Sequence, residues 1–169
     1  MMRWIISAPL IIVALVTASI AQPDPSKYRI EAVADETGSK YFTHDPVWRG
    51  GDSAGSIDLG DGRILWLFGD SVISANSNNS RMGTFVRNSV AIQKGYYLSG
   101  PVKYYWRNLS KGKQAFFSAP GVEWFWPGHG SIVRDRLIVF LLKLRSSKTG
   151  LGFEAVGWYV AIISNPADD

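Results

Sequence analysis

The chain has 169 residues, enough for one domain and too few for two of ordinary size. Hydrophobic residues at 46% and charged residues at 19% exclude a disordered or solvating segment, and the absence of cysteine excludes a disulfide scaffold, a thiolate zinc site, a cysteine nucleophile and a lipid-anchored cysteine. Only 2 histidines argue against a His-rich metal site, and the scattered basic residues behind the net charge of +4 point away from nucleic acid.

The N-terminus reads as an export signal. Met1-Met2-Arg3 is short and positive, Trp4 to Val16 is almost wholly apolar, and Ser19 and Ala21 offer small residues at the positions a signal peptidase reads. The apolar run is about 13 residues, against roughly 20 for a membrane span. Cleavage is therefore expected after Ala21. It leaves 169 − 21 = 148 residues, exported, secreted or periplasmic, with no further membrane segment.

The rest reads as hairpins: aromatic and β-branched runs punctuated by Gly, Asp and Asn. Strands are expected at 28–33, closed by a turn at 35–38, and at 54–59 and 63–69 around Gly60-Asp61-Gly62. Others follow at 84–93, 102–107, 131–133, 137–144 and 153–163, with a polar loop at 76–81 and no amphipathic helix.

Two hairpins look like copies. Gly55-Ser56-Ile57 leads to Arg63-Ile64-Leu65-Trp66-Leu67-Phe68, and Gly130-Ser131-Ile132 leads to Arg136-Leu137-Ile138-Val139-Phe140. The offset is 132 − 57 = 75 on the first strand and 136 − 63 = 73 on the second. A repeated hairpin of this kind suits a propeller, and equally two ordinary hairpins of a sandwich. A propeller needs at least about four blades of roughly 40 residues. The 148 residues supply about two, so the chain reads as the N-terminal part of a larger protein.

The stretches Gly51-Asp52-Ser53-Ala54-Gly55-Ser56-Ile57, Gly60-Asp61-Gly62-Arg63 and Leu65-Trp66-Leu67-Phe68-Gly69-Asp70 resemble secreted bacterial five-bladed β-propeller proteins related to arabinanases and levansucrases. The likeness is greatest to a branch catalogued as a domain of unknown function that includes endo-D-arabinanases. Arg87-Asn88-Ser89-Val90-Ala91, Trp126-Pro127-Gly128 and the stretch from Gly157-Trp158 to Asn165-Pro166 extend it. The resemblance implies an all-β fold, the N-terminal blades of a five-bladed β-propeller. Residues 1–21 would be the signal peptide, 22–47 a lead-in and 48–169 a partial propeller.

It also implies a funnel on the propeller axis where carboxylates gather, since glycoside cleavage generally uses two of them. Asp52 stands where that superfamily places its base or nucleophile; a loop Asp capping a turn is the other reading. Asp70 would bind substrate or position Asp52, or else bond backbone groups at the rim. Asp45, in a His-Asp-Pro sequence, lies too far upstream of the hairpin and ranks below Asp52. Arg87 and Asn88 would bind sugar hydroxyls or fix a carboxylate, or be a surface Arg and a turn Asn. His129, between two glycines, would face the axis and contact the ligand, or be a structural or merely exposed histidine. Trp124, Phe125 and Trp126 would stack on sugar rings, Trp126 being the contact carried into the site, or would pack between blades.

Three functions follow: an exported glycoside hydrolase-like protein acting on arabinan or a related polysaccharide, a non-catalytic carbohydrate-binding propeller, and an inactive fragment. No metal or cofactor motif is present in the sequence, and the expected partner is carbohydrate. Self-association is expected through uncovered blade faces, such as those carrying Trp66 and Phe140.

Overall fold

The computed structural model describes residues 24–27, 29, 31, 33, 34, 36–43, 45–74, 83–110 and 112–166. Two compact units divide the chain at residues 34 and 35. In the first, a 3-10 turn covers Pro25–Lys27, with Ser26 donating to Asp24 through its amide and its hydroxyl. The signal peptide read at 1–21 and the polar loop expected at 76–81 lie outside the described residues. Of the strand expected at 28–33, only Arg29, Glu31 and Val33 are described, and they form no strand.

The second unit opens with a short helix, α1 (Glu36–Tyr41), where the sequence suggested a turn. An all-β body follows. Its strands are β1 (Trp48–Gly51), β2 (Gly55–Asp58), β3 (Arg63–Phe68), β4 (Ser71–Ser74), β5 (Gly83–Val86), β6 (Ser89–Lys94) and β7 (Val102–Tyr105). Then come β8 (Arg107–Leu109), β9 (Gly112–Gln114), β10 (Trp124–Val133), β11 (Arg136–Ser146) and β12 (Phe153–Ile163). They form four antiparallel sheets, ordered β1-β4-β5, β2-β3-β6-β7, β8-β9 and β10-β11-β12.

Both expected hairpins form. β2 and β3 pair with Ile57 opposite Leu65. Their turn uses Gly60 and Gly62 at φ of 79° and 83°, values open to glycine at little cost. β10 and β11 pair with Ile132 opposite Leu137, around a turn in which Arg134 itself takes φ of 59°.

Alternation along the strands sorts the side chains onto two faces. Ile57, Leu65, Leu67 and Val90 of the four-stranded sheet pack against Phe125, Leu137, Val139 and Leu141 of the β10-β11-β12 sheet. Fully burying one such aliphatic side chain is worth about 1.5–3 kcal/mol. The opposite side of the four-stranded sheet supplies Phe68 and Ala91 to a second cluster with Trp48, Ile73 and Val86 of the β1-β4-β5 sheet. Phe42 and Val47, ahead of β1, pack against the same cluster, and Tyr41 donates its hydroxyl to the Gly100 carbonyl. The segment expected to be a mere lead-in thus contributes to the core from α1 onward.

The all-β body of several antiparallel sheets is consistent with the expected propeller-like fragment. At the offset of 73, Leu65 and Leu67 correspond to Ile138 and Phe140. The first pair is covered by the next sheet, whereas Phe140 lies on the far side of its own sheet and is 47% exposed. Trp66, expected to be uncovered with Phe140, is half-buried: it packs edge-on to Phe42 and donates its indole N–H to Gln93.

Two expected single strands are broken. The 84–93 run becomes β5 and β6, in different sheets, because the chain crosses between sheets at Arg87-Asn88. The 102–107 run divides at Trp106, and β8 leaves to pair with β9.

Candidate functional site

The site is built where β1 meets β4. The Asp52 amide donates to the Asp70 carbonyl at 3.1 Å, and the Gly69 amide donates to the Asp52 carbonyl at 2.9 Å. These bonds hold Asp52, just after β1, beside Asp70, just before β4. The carboxylate of Asp52 then lies over Gly69: a Cβ at that glycine would stand 2.2 Å from Asp52 Oδ1. The glycine of the Phe-Gly-Asp sequence is what leaves room for the carboxylate.

The two carboxylates differ in their surroundings. Asp70 accepts the Trp126 indole N–H at 3.0 Å on Oδ1 and meets Arg87 Nη1 at 3.5 Å on Oδ2. Arg87 also lies over the Trp124 ring at 4.1 Å and near Phe85 at 5.2 Å, which fixes the plane of its guanidinium. Among the described residues no cation is paired with Asp52. Desolvation against Gly69 and, secondarily, the charge of Asp70 push its carboxyl above the ordinary carboxylate range, against the pull of the backbone amides of Asp70 and of Asp52 itself. Asp70 is thus held by a guanidinium and an indole donor, while the carboxyl of Asp52 beside it is raised.

The remaining candidates are placed as follows. Trp126 is half-buried, with its ring edge-on to Phe153 at 4.9 Å. Of the aromatic triplet it alone touches the carboxylates; Trp124 and Phe125 are buried in packing. His129 is exposed in a bulge of β10, where the pairing shifts between Pro127 and Gly130, and among the described residues it makes no hydrogen bond or ion pair. The bulge lies against the start of β2, with the Gly128 carbonyl close to Gly55.

Asn88 does not reach the rim. It is 0% exposed, donates its amide to the carbonyls of Phe117 and Phe125 at 2.9 and 2.8 Å, and accepts from the Phe117 amide at 2.7 Å. These bonds join the residue just before β6 to Phe117, ahead of β10, and to Phe125 within β10, so the Asn88 side chain is engaged in the core and not turned to the rim. Asp45 caps a turn, accepting from the amides of Val47 and Trp48. Among the described residues no group of three or more His, Asp or Glu is gathered for a metal ion, and no helix is long and apolar enough to cross a membrane.

The family of unknown function matched by this sequence covers residues 35–169, the whole of the second unit. The chain belongs to the family described as domain of unknown function DUF5005. No curated protein matches the sequence significantly. Among solved structures, a crystal structure described as "a putative hydrolase from Bacteroides ovatus" aligns with a TM-score of 0.62 at 21% identity, over 77% of this chain and 38% of that one. At this identity the likeness is one of fold. The chain spans well under half the length of that Bacteroides ovatus protein.

Proposed function

We propose that this DUF5005 chain supplies part of a carbohydrate-active, hydrolase-like propeller that acts on glycosidic bonds. The observation that carries the reading is the unequal carboxylate pair. Asp70 is bound by Arg87 and Trp126, while Asp52 beside it is raised above the ordinary range. Carboxylates divided in this way suit acid–base or nucleophilic work on an acetal.

In this reading Asp52 is the base or nucleophile, the role the resemblance gives its position, and its raised carboxyl moves it toward the operating pH, as suits a general base. Asp70 is a positioning residue, locked by Arg87 and Trp126. His129, exposed on the neighbouring bulge, contacts the sugar. The hydrolase description of the Bacteroides ovatus protein agrees with a hydrolytic reading, and the resemblance to arabinanase-related propellers makes arabinan or a related furanose polymer the first substrate to test. Export after cleavage at Ala21 would bring the protein to such a polymer outside the cytoplasm.

The test is reducing-end release from arabinan and arabino-oligosaccharides by the wild-type chain and by Asp52→Asn, with circular dichroism as the folding control. Turnover in the wild type and its loss in a folded Asp52→Asn is the expected result. Unchanged turnover in Asp52→Asn overturns the assignment of Asp52. Sugar binding without turnover in the wild type favours a carbohydrate-binding module.

A further inference from the structure

Behind the Asp52–Asp70 clasp lies a run of buried polar groups drawn from three strands and two sheets. Trp48 of β1, Ser71 of β4 and Ser89 of β6 are 2%, 0% and 0% exposed. The Trp48 indole N–H donates to Ser89 Oγ at 2.9 Å, the Ser89 and Ser71 hydroxyl oxygens stand 2.8 Å apart, and the Ser71 hydroxyl donates to the Gly69 carbonyl at 2.9 Å. An indole only donates and a carbonyl only accepts, so the two ends set the direction of the whole chain. Ser71 gives its proton to Gly69 and therefore accepts from Ser89, which accepts from Trp48. Three donors then make three bonds, as groups closed off from water require.

The chain ends on the peptide that joins Gly69 to Asp70. The other side of Gly69 is held as well, since its amide donates to the Asp52 carbonyl. At the far end the Trp48 ring stacks on Tyr104 at 4.4 Å. Ser89 follows directly on Arg87-Asn88, so the same anchor stands next but one to the guanidinium that meets Asp70. Gly51 shows how closely the chain underlies Asp52: a Cβ there would stand 2.7 Å from Ser71 Oγ and 3.1 Å from Cζ2 of Trp48.

We propose that Ser71 and Ser89 are positioning residues of the carboxylate site: the Trp48–Ser89–Ser71 chain fixes the Gly69–Asp70 peptide and, through Gly69, the placement of Asp52 beside Asp70. Its consequence for catalysis rests on the glycosidic reading; its consequence for the carboxylates does not. When the Ser71 hydroxyl is removed, the Gly69 carbonyl loses this donor, the peptide turns, and the Asp52 carboxyl is drawn off Gly69. Desolvation and then the charge of Asp70 hold that carboxyl above the ordinary range, and both weaken as the pair opens.

The test is a carboxyl-carbon NMR titration of the whole chain, labelled at aspartate, with thermal melts in parallel. Ser71→Ala and Ser89→Ala should each move the Asp52 titration toward the ordinary carboxylate value, by roughly threefold or more in its acid constant. Ile73→Val thins the same core cluster from the next inward residue of β4 and should leave the titration where it is. If the wild type turns over arabino-oligosaccharides, the alanine variants should lose kcat at an unchanged KM. An Asp52 titration unmoved in folded alanine variants overturns the proposal, as does an equal shift in Ile73→Val, since either result makes the serines ordinary core residues. If the alanine variants do not fold, the wild type decides: both hydroxyl protons should exchange slowly with solvent, that of Ser89 close to the Trp48 indole proton, and rapid exchange of either overturns the chain. A shifted titration with no turnover in the wild type upholds the proposal and removes the glycosidic reading instead.

Discussion

Replacing Asn88 by Ala removes three hydrogen bonds at once, two donated to the Phe117 and Phe125 carbonyls and one accepted from the Phe117 amide. A buried bond contributes about 1 kcal/mol net, so the three set a floor of about 3 kcal/mol. The floor rises because the partners stay behind in a region where Asn88 itself is 0% exposed, and each orphaned group adds a desolvation cost of about 1–3 kcal/mol. A loss of about 3 kcal/mol or more is a large share of the 5–15 kcal/mol typical of a domain. Urea denaturation should show a lower midpoint at an unchanged slope. Asn88→Asp is the shape-preserving companion: it keeps the acceptor for the Phe117 amide but sets a carboxylate against two carbonyls. It should be worse than Ala at pH 7 and recover in part in acid. A cost below about 1 kcal/mol for Asn88→Ala would refute the reasoning, since the joint would then not depend on the amide.

Three further outcomes are expected. Because the Asp52 carboxyl is raised in the folded chain, its contribution to stability is fully present below the ordinary carboxylate pKa and is lost as pH rises through the folded value. Asp52→Asn should therefore gain melting temperature over wild type near neutral pH, and the gap should close as the pH falls; a gap that is constant from pH 3 to pH 8 (roughly the range where such groups titrate) contradicts the shift. Gly69→Ala drives a Cβ to 2.2 Å from Asp52 Oδ1, and should cost about 1–3 kcal/mol by overpacking in thermal melts and displace the Asp52 carboxylate, so a variant as stable and as active as wild type refutes that contact. Among the described residues the buried Tyr104 hydroxyl has no hydrogen-bond partner, and burial drives its phenol pKa upward, so Tyr104→Phe should be neutral or stabilising by up to about 1 kcal/mol in the same melts.

The strands legible in the sequence are those with continuous apolar runs between glycine turns. β12 matches its expected limits, and β3 and β11 match to within about two residues. β1 and β4 escape such reading because Trp-Arg-Gly-Gly and Ser-Val-Ile-Ser are too short to show a period. Their partnership is what places Asp52 against Asp70. The Arg87-Asn88 break is invisible for another reason: a polar pair within a β-branched run looks like an exposed patch, whereas one side chain lies over Trp124 and the other is sealed in the core. The indole of Trp126 reaches Asp70 across 56 residues of sequence, a contact that local pattern does not encode. The resemblance to arabinanase-related propellers did single out Asp52, Asp70, Arg87 and Trp126, and the backbone then decides which of them meet.

The joining of Asp52 to Asp70 through their own backbone bonds has a consequence for how the protein is made. Synthesis proceeds from the N-terminus, and this clasp can close as soon as β4 has left the ribosome. At that moment two carboxylates stand together with neither Arg87 nor Trp126 yet delivered. Arg87 arrives first and relieves the repulsion, and Trp126 docks only when β10 is in place. The indole bond is therefore a late event that ties the second hairpin to the first. A lesion at Trp126 should leave the early clasp intact and slow the final docking of the two sheets, a defect that stopped-flow refolding would detect even where the equilibrium fold survives.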